Sequence, residues 1–134
     1  MFVDACAIVS LIADEETATA YEQALATAKS PFTSPLASWE AIIVLSKPDQ
    51  LDCSYTAAMG AVVEWLDARG IEIREAGSPR ELLAHAILVA ETHGIGKRHL
   101  SNFDCFHYAY SKVTGNPMLT LDQLLRETDA TTLP

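Results

Sequence analysis

Apolar residues recur along this chain in two rhythms that alternate. Short apolar runs of strand length stand at Phe2 to Asp4, Pro31 to Ser34, Ile71 to Arg74 and Met118 to Leu121. Between them the apolar positions step by three and four residues, the spacing that lines one face of a helix. That spacing runs through Ile8, Leu11 and Ile12, and again from Thr17 to about Ala28. It returns from about Pro35 to Ser46, where Pro48 ends it, then from about Ser54 to Arg69 and from about Pro79 to Thr92. The segment His93 to His99 contains Gly94 and Gly96 and reads as a loop, after which Ser101 opens a helix that Gly115-Asn116 stops near Thr114.

Strands alternating with helices predict an α/β fold, a short parallel sheet of four or five strands with helices on both faces. With 134 residues and no repeat, low-complexity tract or linker, residues 1–134 read as a single domain. No apolar stretch approaches the ~20 residues of a membrane span, and no basic and long apolar opening suggests a signal peptide. A cytoplasmic location is therefore expected. Cys6, Cys53 and Cys105 form an odd set without paired spacing, which predicts reduced, mostly buried thiols and neither a disulfide framework nor a zinc site.

Four acids sit where the apolar pattern leaves no room for charge. Asp4 follows Met1-Phe2-Val3, Glu40 lies in Trp39 to Leu45, Asp104 in Phe103 to Phe106, and Asp122 in Leu119 to Leu125. An ionised carboxylate withdrawn from water costs several kcal/mol unless a hydrogen bond or a cation compensates it. Asp4 ends the first predicted strand and Asp122 follows the last, and ligands of parallel sheets bind beyond the carboxyl ends of the strands. Glu40 lies about one turn into a helix. Ser101-Asn102-Phe103-Asp104 also matches a capping box, so Asp104 has a structural role available to it. Glu64 is left out, because helical spacing groups it with Gly60, Asp67 and Ala68 on a polar side, opposite Met59, Val62 and Leu66.

The charge balance changes the picture. With 18 acids against 9 bases the formal charge is −9, which argues against a protein that wraps a nucleic-acid backbone. A divalent ion among the four acids would reverse the local potential and draw phosphate to that place. Asp4 and Asp104 are the expected direct ligands of such an ion, with Glu40 and Asp122 in the outer shell or on a second one. His107, three residues after Asp104, could pair with it as a ligand or act as a general base, but reads first as a partly exposed polar neighbour of the site. His85, His93 and His99 read as surface or loop residues. Lys97 and Arg98 on the glycine loop are candidates for phosphate contact, and Lys47 and Lys112 read as solvated. Phe103, Phe106, Tyr110 and Val113 recur at helical steps and read as a core stripe before a base-stacking platform.

These residues resemble the PIN-domain family, and within it the VapC-type toxins of bacterial toxin–antitoxin pairs. Phe2-Val3-Asp4 resembles the family's first strand and first acid, Trp39-Glu40 the second acid, and Thr120-Leu121-Asp122 the fourth. The segment Gly94 to Lys112, with Ser101-Asn102-Phe103-Asp104-Cys105-Phe106, resembles the glycine loop and the third-acid helix. The resemblance covers Met1 to about Thr128. It implies an endoribonuclease whose acids hold Mg²⁺ or Mn²⁺ to activate a water, a structured RNA substrate and a small cognate antitoxin protein. A homodimer is left open. Two departures stand out: Ala5-Cys6 offers only a thiol where a hydroxyl or amide is common, and Gln123-Leu124-Leu125 replaces a further acid and an aromatic. The alternatives are a catalytically silent RNA- or protein-binding module, and another metal-dependent phosphoesterase such as a phosphatase or DNA nuclease.

Overall fold

The computed structural model describes residues 1–134. Strand β1 (Phe2–Val3) is wholly buried and passes through Asp4, in extended conformation, into helix α1 (Ala5–Ala13). Helix α2 (Ala18–Leu25) follows, then β2 (Phe32–Thr33) and α3 (Pro35–Leu45). Ser34 caps α3 by accepting from the Ala37 N–H, and Pro35 occupies the first turn, where a missing N–H is harmless. Helix α4 (Tyr55–Ala68) starts at the Ser54 cap and leads to β3 (Glu72–Ile73). Helix α5 (Pro79–His93) opens on a Ser78/Glu81 capping box, and α6 (Asn102–Thr114) on the Ser101/Asp104 box. Gly115 ends α6 in the left-handed region, and β4 (Met118–Leu119), the short α7 (Gln123–Arg126) and β5 (Thr132–Leu133) complete the chain.

All strand pairs are parallel, and the sheet order is β3-β2-β1-β4-β5. The α/β architecture expected from the alternating pattern is therefore present, with seven helices flanking a five-stranded sheet. Phe2 faces Phe32 on one side and Met118 on the other, and its ring stacks on Tyr110 with centroids 5.5 Å apart. Helix α5 packs along α6, while α3 packs against α1 and α4 and touches α6.

Three expectations need correcting. The strands are two residues long where three or four were read, and β5 and α7 were not anticipated. Thr132–Leu133 carries no alternation and becomes a strand because β4 offers it a backbone edge. Met59, assigned to the apolar side of its helix, is 49 % exposed, since α4 buries only the narrower stripe of Ala58, Val62 and Leu66. Of the three thiols only Cys105 is buried, whereas Cys6 and Cys53 are half-buried.

The order of the strands positions a site. From β1 the chain moves to β2 and β3 on one side, then crosses back to place β4 on the other. The segments leaving β1 and β4 part at this reversal, the place where parallel sheets generally bind their ligands. Asp4 and Asp122 lie there.

Candidate active site

Asp4 is 3 % exposed, and its carboxylate is fully engaged by protein groups. Oδ1 accepts from the Ala5 N–H at 2.7 Å, while Oδ2 accepts from the Thr120 hydroxyl at 2.8 Å and the Cys6 thiol at 3.0 Å. Burial disfavours the charged form, but the charge of His107 and the donors on Oδ2 outweigh it and hold the carboxyl below its ordinary range. Burial and the Asp4 charge push the Cys6 thiol up, so it is a hydrogen-bond donor and not a nucleophile.

Glu40 projects from α3 and is pushed up to about 7, first by burial and then by the charges of Asp4, Asp104 and Asp122, against the opposing charge of His107. The four predicted acids thus share one electrostatic neighbourhood. Asp104 accepts from the Ser101 N–H at 2.6 Å through Oδ2, completing the cap of α6, and this leaves Oδ1 available. Asp122 accepts from the Leu125 N–H at 3.0 Å through Oδ1 as the cap of α7. Each aspartate therefore serves a helix start as well as the cluster.

His107 is not the partly exposed neighbour that its spacing suggested. It is 1 % exposed, packed near Phe2 at 5.9 Å between ring centroids and near Phe103 at 6.5 Å. Its Nδ1 stands 2.7 Å from Asp4 Oδ1 and its Nε2 stands 3.4 Å from Glu40 Oε2. Neither nitrogen, nor Glu40 Oε2, has a hydrogen-bond partner of good geometry, so these are contacts between charges. Burial opposes the imidazolium, yet the carboxylates of Asp4, Glu40 and Asp104 outweigh it and raise His107 above its ordinary value.

Thr120 and Tyr21 were given no role from the sequence. Besides its bond to Asp4, the Thr120 hydroxyl accepts from the Asp122 N–H at 3.1 Å. The Tyr21 hydroxyl accepts from the Leu121 N–H at 2.8 Å and lies 3.2 Å from Cys6 Sγ. The one visible signal was Thr120 at the end of a buried strand, where a hydroxyl must find a partner. Phe106, Tyr110 and Val113 do join the core, while Phe103 sits outside it. Glu64 is exposed, as expected. Lys97 and Arg98 are exposed on the loop before α6 and enter no ion pair.

Whether these groups suit a divalent ion can be judged from the donors. No three His, Cys, Asp or Glu side chains are drawn together as an ion cage. The donor set is nevertheless hard oxygen, and Glu40 Oε2 is buried without a donor to satisfy it. Mg²⁺ commonly keeps several waters and takes one or two carboxylates directly, so a closed protein cage is not required. The donors fit such an ion in kind. A small cavity of about 190 Å³ beside Glu40 is lined by Ala5, Cys6, Val9, Glu15 and Val44. A roomier one of about 470 Å³, near Ile43, Lys47 and Tyr55, touches none of the four acids.

The PIN domain profile matches residues 1–130. The chain belongs to the PIN-domain family. PIN domains are usually nucleases and generally use divalent metal ions, which supports a nuclease-type hydrolase here. No curated protein matches this PIN domain. None of its helices is long and apolar enough to cross a membrane.

Proposed function

We propose that this PIN domain is an Mg²⁺- or Mn²⁺-dependent endoribonuclease and the toxin of a toxin–antitoxin pair. The observation that carries the reading is the shared neighbourhood of Asp4, Glu40, Asp104 and Asp122 at the strand-order reversal, with Glu40 Oε2 buried and without a hydrogen-bond donor. Asp104, through the oxygen its cap leaves free, and Asp4 are the proposed direct ligands, with Glu40 and Asp122 acting through water or on a second ion. When bound, such an ion supplies countercharge for the phosphorus centre and acidifies a water. Glu40, pushed up to about 7, would accept a proton from the attacking water at its carboxylate. Lys97 and Arg98 are proposed to contact RNA phosphates beside the glycine loop.

A small inhibitor that directs an Arg or Lys at the four acids fits the same chemistry, because an anionic pocket favours a charge-assisted fork. The negative surface would speed its approach, and salt would slow it. The second reading, a silent RNA- or protein-binding module, is favoured by one observation: Asp4 already has protein partners on both oxygens. Incubation of the purified chain with an RNA panel, single-stranded DNA and a phosphomonoester, with and without Mn²⁺, separates these readings. RNA cleavage that needs Mn²⁺ supports the proposal. Cleavage of the other substrates alone moves it to another phosphoesterase, and no cleavage of any leaves the silent module ahead.

A further inference from the structure

Helix α5 turns Leu82, Ala86 and Val89 inward where it packs along α6, and its opposite side is left uncovered. That side is apolar. Leu83, Ile87 and Leu88 are 52, 49 and 54 % exposed, with exposed Ala84 between them on the outer strip. Charge stands at the two ends of the strip: Arg80 in the first turn and Glu91 in the last, both exposed and neither in an ion pair.

Two details select what covers this strip. A helix is electropositive at its N-terminus and electronegative at its C-terminus, so Arg80 and Glu91 each stand at the end whose charge they share. Neither suits an isolated helix. The second detail is spacing, for Arg80, Ala84, Ile87 and Glu91 follow one another at steps of four, three and four residues, the same from either direction. Turned end over end, the strip lays Arg80 on Glu91 and Ala84 on Ile87. Positive meets negative, small meets large, and Leu83 and Leu88 close the two flanks. A surface that complements itself under a two-fold rotation is what a symmetric dimer requires.

We propose that the outer strip of α5 is a homodimer interface, in which two copies pack their α5 helices antiparallel, with Arg80 facing the partner subunit's Glu91 and Ala84 facing the partner subunit's Ile87. The end charges fix the direction, because a parallel pairing would set Arg80 on Arg80 and Glu91 on Glu91. A helix of 15 residues is about 22 Å long. One such pair lies at the small end of specific interfaces, so a dissociation constant on the order of 10 µM is expected.

Sedimentation equilibrium of the full chain in a chelator tests this, from about 1 to about 300 µM and in roughly 0.15 M salt, which screens the mutual repulsion of acidic copies. The wild type should pass from monomer to dimer across that range. Arg80→Glu and Glu91→Arg each set like charges together twice per dimer, and each should weaken it by about tenfold. Combined in one chain they restore opposite pairing, and most of the loss should return. The two variants move the overall charge in opposite directions, so a matching loss reports the local pairing. Both also suit the helix dipole better than the native residues, so α5 of the monomer is not weakened, and circular dichroism confirms the fold. Ile87→Glu removes the apolar centre and should leave a monomer throughout. A wild type that stays monomeric overturns the proposal and leaves the strip to a different protein. A dimer that Ile87→Glu leaves intact, or single charge changes that the double variant fails to offset, place the interface elsewhere and overturn it equally.

Discussion

The Thr120 hydroxyl donates to Asp4 Oδ2 at 2.8 Å and so joins the carboxyl ends of two neighbouring strands whose residues lie 116 positions apart in the chain. The same oxygen accepts from the Asp122 backbone, which makes Thr120 the hinge on which both acids are set.

Replacement of Thr120 by valine keeps the volume but strands the Asp122 N–H and one lone pair of Asp4. A loss of roughly 1–3 kcal/mol in urea unfolding is expected, the usual cost of leaving buried polar groups unsatisfied. An unchanged unfolding midpoint would show that water replaces the hydroxyl.

Asp104→Asn separates the two duties of Asp104. The amide oxygen can still accept from the Ser101 N–H, so α6 keeps its cap, while the negative charge is lost. Thermal unfolding should barely move, and Mn²⁺-dependent RNA cleavage should fall by about 100-fold or more. Cleavage at the wild-type rate would remove Asp104 from the site.

Metal should stabilise the folded chain by mass action. At a concentration of 100 times the dissociation constant the expected gain is about 2.7 kcal/mol, visible as a rise in melting temperature with Mn²⁺. The Asp104→Asn/Asp122→Asn double variant, which retains both helix caps, should lose most of that rise. A full response in the double variant would locate the ion elsewhere.

Metal-free stability should be greatest in mild acid. Glu40 moves from an ordinary 4.5 to about 7 on folding, so the native state holds an extra proton between these values and stability falls as pH rises across them. His107, raised on folding, acts in the same direction, because its contribution is complete below the ordinary 6.5 and is lost as pH climbs through its higher native value. Asp4, lowered on folding, protects only above its ordinary 3.8. The Glu40 share is at most about 3 kcal/mol. Melting temperatures from pH 4.5 to 8 in a chelator should decline, and Glu40→Gln should flatten the slope; a steady rise to pH 8 would contradict the site electrostatics.

Gly77 precedes the cap of α5 with φ of 74°, and a Cβ there would run into the Val113 side chain. Gly77→Ala should cost roughly 1–3 kcal/mol through backbone conformation and overpacking together. Adding Val113→Ala relieves only the second part. A double-mutant cycle without coupling would mean that α6 yields to the new methyl.

The sequence reading reached the acids because charge inside an apolar run is a local signal, legible from immediate neighbours such as Phe2-Val3 and Ile42-Ile43. His107 reads as partly exposed from its helical spacing although Phe106 and Tyr108 flank it, because what buries the imidazole is α6 lying beside β1, with Phe2 against the ring. Burial decided by distant elements leaves no trace in local spacing. The same holds for β5, a strand only because β4 lies beside it, and for Tyr21, whose partner Leu121 is 100 residues away. The capping box at Ser101 was legible in advance, yet four letters could not show that Asp104 would also stand close enough to Glu40 to raise its pKa.

The central place of β1 has a consequence during synthesis. Strand β1 must wait for its neighbour β4, and Asp4 meets neither His107 nor Thr120 until those later residues have also left the ribosome. A growing chain therefore carries its acids as scattered, solvated side chains, and whatever chemistry they perform together can begin only after the segment that holds Asp104 and Asp122 has emerged. On the proposed reading as a ribonuclease, this ordering of contacts would spare the message and the ribosome that are producing it.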